Sequence, residues 1–83
     1  MKHYNQERFN FELLRVWGDP AFCITLKDQH GREVEILAEL NHITHTLRIF
    51  HPEQDFYACI SNWEWNRTNA IKLFKLLKEW GYL

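Results

Sequence analysis

The 83-residue sequence predicts a single α+β domain: an antiparallel sheet of four to five strands with one C-terminal amphipathic helix packed across one face. Three observations carry that expectation. From Phe9 to Ile60, apolar and polar residues alternate in short runs at the period of half-buried strands, with turn residues between the runs. Residues 66–81 repeat instead at helical period and bring their own start and stop signals. The composition, 46% apolar and 25% charged with only 3 glycines, is that of a chain that folds around a core. Strands segregated from a helix and joined by short turns favour an antiparallel sheet with the helix on one side.

Met1 to Glu7 is polar and without period, and reads as a loose leader. Phe9, Phe11 and Leu13 alternate with Asn10 and Glu12, which predicts a first strand running towards Val16 and Trp17, with a bulge at Leu13-Leu14. Gly18-Asp19-Pro20 is a turn signal. Phe22, Ile24 and Leu26 then alternate with Cys23, Thr25 and Lys27. Asp28-Gln29-His30-Gly31 supplies a tight reversal, and Val34 and Ile36 alternate with Glu33 and Glu35 on the way back. Residues 22–38 therefore read as a hairpin with one apolar and one polar face. A helix from Glu33 to Leu40 also fits the spacing of Ile36 and Leu40; the strand is preferred because the preceding strand needs a partner.

Leu40 to Thr46 reads as a connection, and Thr46 to Phe50 is rich in β-formers. His51-Pro52-Glu53-Gln54 is a turn, after which Phe56, Ala58 and Ile60 alternate with Tyr57 and Cys59 as the next strand. The sheet side of the core is expected to comprise Phe9, Phe11, Phe22, Ile24, Leu26, Val34, Ile36, Leu47, Ile49, Phe56, Ala58 and Ile60.

In the helix, Ala70, Leu73, Phe74, Leu76, Leu77 and Trp80 fall within an arc of roughly 160°, and Lys72, Lys75, Lys78 and Glu79 fill the opposite arc. Asn66 or Thr68 suits the N-cap, and Gly81 sits where a left-handed residue closes a helix. Ser61 to Glu64 also fits a capping box that would start the helix nearer Asn62; the later start is preferred.

Composition narrows the function. A net charge of −1 gives no global bias towards nucleic acid or anionic membrane. Two cysteines, Cys23 and Cys59, are too few for a disulfide scaffold and lack metal-ligand spacing. There is no apolar N-terminal run and no segment of transmembrane length, so a cytoplasmic setting with reduced thiols is expected. Met1 followed at once by a polar stretch reads as the start of a complete small reading frame. No phosphate-cradling Gly-rich loop, nucleophile elbow or CxxC pair is present, and no cofactor is implied.

Five groups of residues invite a chemical reading. His42 and His45, three apart with His51 nearby, would share a helix face and bind zinc if a third ligand joined them, but they read as loop histidines. Cys23 or Cys59 with a histidine could form a nucleophile pair, yet both alternate against core positions and nothing local favours a thiolate. Glu33 and Glu35, followed by Glu39, lie on the polar side of the hairpin, where they are solvated or mate with a basic partner. Arg67, Lys72, Lys75 and Lys78 make the helix exterior basic. The aromatics are the most informative. Tyr4, Trp17, Tyr57, Trp63, Trp65 and Tyr82 come in addition to the rings assigned to the core, and a domain of this size has limited room for them. They either seal a sheet edge or remain exposed as binding anchors.

The expected function is therefore non-enzymatic: a protein–protein interaction module, a stoichiometric inhibitor or adaptor of a larger complex. Trp63, Trp65 and Tyr57 are the candidate anchors, and Glu33, Glu35, Lys72 and Lys75 the charges that steer the partner. The chain resembles small phage- or plasmid-encoded anti-defence inhibitors, including anti-CRISPR proteins, in size and α+β build alone. The alternative is a small nucleic-acid-binding protein that uses the sheet aromatics or the Lys72/Lys75/Lys78 helix face. Homodimerisation is compatible with either.

Overall fold

The computed structural model describes residues 6–27 and 30–82. The element order is α1 (Gln6–Leu14), β1 (Ala21–Lys27), β2 (Glu33–Asn41), β3 (Thr46–Phe50), β4 (Tyr57–Ile60) and α2 (Arg67–Glu79). The four strands form one antiparallel sheet in the order β1-β2-β3-β4. This is the α+β architecture expected, with one helix more. Residues 33–40 lie within β2, so the strand reading holds and the helix alternative does not.

The added helix corrects the reading of the N-terminal third. Gln6 to Leu14 is α-helical, not a strand, and Gln6 and Glu7 open it rather than belonging to a leader. Met1 to Asn5 lie outside the described residues, as do Tyr4 among the surplus rings and Asp28-Gln29 of the first reversal. The physical reason for the helix is visible in the same residues. Phe9 and Leu13 are four apart and both fully buried, whereas Phe11 between them is 68% exposed. Gln6 Nε2 donates to Asn10 Oδ1 at 2.9 Å and Arg15 pairs with Glu12 at 3.3 Å, both at helical spacing. No β-branched residue lies between Gln6 and Arg15, and the Leu13-Leu14 doublet marks one buried and one exposed helix position, not a bulge.

Register divides the strands cleanly into two faces. On one, Phe22, Ile24, Leu26, Ile36, Ala38, Leu47, Ile49 and Ile60 are all buried. Phe9 and Leu13 from α1 and Ala70, Leu73 and Leu77 from α2 complete that core, so both helices lie on the same side of the sheet. They touch each other where Phe9 and Phe74 meet edge-on at 5.4 Å. Phe56, expected in the core, precedes β4 and is 45% exposed.

α2 starts where the later of the two sequence readings put it. Asn66 is extended, and its Oδ1 accepts from Asn69 N at 2.9 Å, satisfying one of the orphan donors of the first turn. Asn69 is itself buried, and its Nδ2 donates to Glu64 O at 2.9 Å. At the other end Gly81 has φ +89°, with Gly81 N donating to Lys78 O and Tyr82 N to Leu77 O. These two bonds are those of a Schellman closure. The residues beyond the helix then reach the β3–β4 turn. Tyr82 Oη donates to Glu53 Oε1 at 2.5 Å, and His51 packs on Trp80 at 4.7 Å and on Phe56 at 4.9 Å. His51 Nδ1 accepts from Glu53 N and Gln54 N, which shapes the turn.

Candidate functional site

The second face of the sheet carries the side chains that folding leaves over. Pairing aligns Cys23 with Leu37, Leu37 with Phe50, and Phe50 with Tyr57, so these four form one row across all four strands. Leu37 is 56% and Tyr57 51% exposed, and Phe50 is half-buried. The next row is Ala21, Glu39, Arg48 and Cys59, and beyond it Asn41 stands opposite Thr46. Among the described residues no element covers this face.

Arg48 ties the two rows together. Its guanidinium pairs with Glu39 at 3.3 Å and lies 5.8 Å from the ring centre of Phe50 and 5.6 Å from that of Tyr57. Phe50 and Tyr57 are themselves tilted at 5.7 Å. A planar cation thus lies over two rings with a carboxylate at its side, all on the exposed face. At the end of β3 and the start of β4 the row runs into a shallow hollow of about 510 Å³ lined by Phe50, His51, Gln54, Asp55, Phe56 and Tyr57.

Glu33 and Glu35 lie on the same face, at the N-terminal end of β2, which pairing places at the same end of the sheet as that hollow. Glu35 stands opposite Thr25, and Glu33 opposite Lys27. Cys23 Sγ donates to Glu35 Oε2 at 3.1 Å. Burial, that hydrogen bond and the Glu35 charge push the Cys23 thiol up from 9.0 to about 11, which makes it a poor nucleophile at neutral pH. Cys23 and Cys59 are both free and lie on the two edge strands. Three strand spacings, about 14 Å, separate those edges, far beyond the span of a disulfide.

The predicted site residues divide among three places. Tyr57, Glu33 and Glu35 share the open sheet face. Lys72 and Lys75 are exposed on α2, in the helical layer on the other side of the core. Trp63 is 2% exposed and belongs to the core, so it is not available as an anchor, and its Nε1 meets no acceptor among the described residues. Trp65 is half-buried, packed against Trp17 at 5.0 Å, Phe22 at 5.4 Å and Trp63 at 5.5 Å. The surplus rings thus split. One cluster seals the end of the sheet where α2 begins, and Tyr57 joins Phe50 in the open.

His42 and His45 lie at the β2–β3 turn, where His45 adopts φ +55°, and His51 lies in the turn at the other end of β3. Among the described residues no three His, Cys, Asp or Glu side chains gather in a way that would hold a metal ion. No described helix is long and apolar enough to cross a membrane.

Sequence reasoning passed over Leu37, Arg48 and Phe50. A signal for two of them was present. Leu37 interrupts the series Glu33, Glu35, Glu39, and Phe50 is out of phase with Leu47 and Ile49. An apolar residue on the polar phase of a strand has no core to enter. No protein-family model, curated protein or solved structure matches the chain.

Proposed function

We propose that the chain is a non-enzymatic protein-binding module that docks through the open face of its sheet. The observation that carries this reading is the row Leu37, Phe50 and Tyr57, three large apolar side chains aligned on the side of the sheet that the helices do not cover. Aromatic residues and arginine dominate the energetics of protein interfaces, and Arg48 over Phe50 and Tyr57 brings both. Glu33, Glu35 and Glu39 form an acidic border to the row, which favours a partner with an apolar centre and a basic rim. Lys72 and Lys75 face the other way and act at longer range, by repelling basic surfaces from the helical side. A module that works by covering a partner's surface suits a stoichiometric inhibitor or adaptor, including the phage or plasmid anti-defence type.

The test compares faces. Wild-type protein, a Leu37→Glu/Tyr57→Ala variant and a Lys72→Glu/Lys75→Glu variant serve as baits in a lysate of the source cells, with retained proteins quantified by mass spectrometry. A protein retained by wild type and by the lysine variant but lost from the sheet-face variant supports the reading; equal retention by all three baits sinks it.

Sheet aromatics beside an arginine would also stack on single-stranded bases, which keeps nucleic acid as the second reading. The three glutamates on the same face repel phosphate, and this makes it the weaker one. A flat anisotropy titration against mixed oligonucleotides at low salt removes it.

A further inference from the structure

The register of the open face has a symmetry of its own. β2 and β3 are the two central strands, and their outward residues pair as Leu37 with Phe50, Glu39 with Arg48 and Asn41 with Thr46. Each pair matches in kind: apolar with apolar, acid with base, polar with polar. An operation that lays β2 of one copy over β3 of another with the rows kept in register therefore sets complementary groups against each other, row by row. A two-fold axis parallel to the strands, midway between β2 and β3 and between the two sheets, does this. It puts Leu37 over Phe50 of the second copy, Glu39 over its Arg48, and Asn41 over its Thr46.

The competing axis, perpendicular to the strands, fails. Centred on the apolar row it sets Glu39 against Glu35 of the second copy, and centred between rows it sets Leu37 against Glu39. With the pivot at the Glu39–Arg48 row, the roughly 30° angle between aligned sheets shifts that row by about 1 Å and the rows on either side by roughly 4 Å, less than one strand spacing. Glu33 and Glu35 lie beyond the end of β3 and have no partner among the three matched rows.

We infer that, when no other protein occupies it, the open sheet face closes on a second copy of this chain across a two-fold axis running parallel to the strands between β2 and β3. This rests on the reading of that face as the binding surface, and it names one occupant. Area sets the strength. Four strands and the five residues of β3 cover roughly 19 × 17 Å, about 320 Å² in projection per copy. A standard stable interface buries about 800 Å² per partner. The interface is therefore of the small, transient class, and a tighter partner displaces the second copy. Self-pairing hides the apolar row only where the chain is concentrated enough for this weak dimer to form.

Sedimentation from about 10 µM to 1 mM tests the pairing, with three samples that separate it from general stickiness. Wild type is expected to shift from monomer to dimer over this range. Glu39→Arg opposes two guanidinium groups across the interface and Arg48→Glu two carboxylates, so each variant alone is expected to dimerise about tenfold more weakly or worse. Mixed in equal amounts, the two restore both cross-copy pairs and are expected to associate at least as tightly as wild type. Circular dichroism of each variant checks its fold. If one does not fold, Leu37→Gln takes its place and is expected to weaken the wild-type dimer about tenfold.

A wild-type chain that stays monomeric to 1 mM overturns the inference. So do variants that dimerise like wild type, or a mixture that fails to recover. If the wild type is monomeric while the sheet-face bait still loses its retained protein, only the self-pairing falls; if that bait loses nothing, the reading of the face falls with it.

Discussion

The two faces of the sheet are built from alternate residues of the same four strands, yet they meet different fates. Leu47 and Ile49 are fully buried beneath two helices, while Arg48 and Phe50, their immediate neighbours, face outward with Leu37 and Tyr57. Backbone pairing treats both faces alike, so the difference comes from what the rest of the chain lays over them. The inner residues are explained by folding. The outer apolar row is not: it adds little to the stability of the chain and exposes area that water disfavours. That contrast makes the outer row the candidate for function.

The largest expected effect separates the faces directly. Leu47→Ala should cost about 2–5 kcal/mol in urea unfolding, because it empties a filled core position. Leu37→Ala, on the same ladder but facing outward, should stay within about 0.5 kcal/mol of wild type. Similar costs at the two positions would erase the distinction between faces.

A smaller effect concerns the cover over the inner face. Asn66→Ala removes the cap of α2, and Gly81→Ala forces a side chain into φ +89°. Each should lower stability by about 1 kcal/mol. Neither residue lies on the outer face, so binding measured on the folded fraction should not change; a loss of binding per folded molecule would mean that the cover and the open face are coupled.

The smallest effect sharpens the outer face itself. Its two thiols should differ in alkylation by iodoacetamide, with the exposed Cys59 modified first. At pH 9 a thiol titrating at about 11 is only about 1% thiolate, so Cys23 should lag, and its rate should rise about tenfold per pH unit until pH 11 is approached. The raised value favours the protonated thiol, so Glu35→Gln, which removes the negative neighbour, should speed Cys23 labelling at pH 9. Equal rates for the two cysteines, or no response to Glu35→Gln, would show that Glu35 does not hold the Cys23 proton.

Much of this fold was legible in residue periodicity. The strands after Pro20 and the whole of α2 follow from alternation, caps and turn residues, since there local preference and tertiary packing agree. The N-terminal helix was not. Phe9, Phe11 and Leu13 alternate like a strand, and nine residues are too few for period alone to decide. What settles the matter is long-range: Phe9 and Leu13 find room against α2 and the sheet, and Phe11 does not.

The site was legible only in part, for a related reason. Tyr57, Glu33 and Glu35 emerged from alternation, but exposure of a tryptophan cannot be counted from an excess of rings. Trp63 follows the last strand and enters the core, where its backbone N–H reaches His45 O at 2.7 Å. Leu37, Arg48 and Phe50 become a group only when register sets the strands side by side.

The ring contacts at the end of the chain bear on that group as well. Trp80 and Tyr82 hold His51, Phe56 and Glu53, and Phe56 is joined by a peptide bond to Tyr57. The last turn of the molecule is thus a clasp on the hairpin that displays the outer aromatics. Tags or trimming beyond Glu79 would loosen that clasp and alter the angle at which Tyr57 is offered, from a position far away in sequence and on the opposite layer.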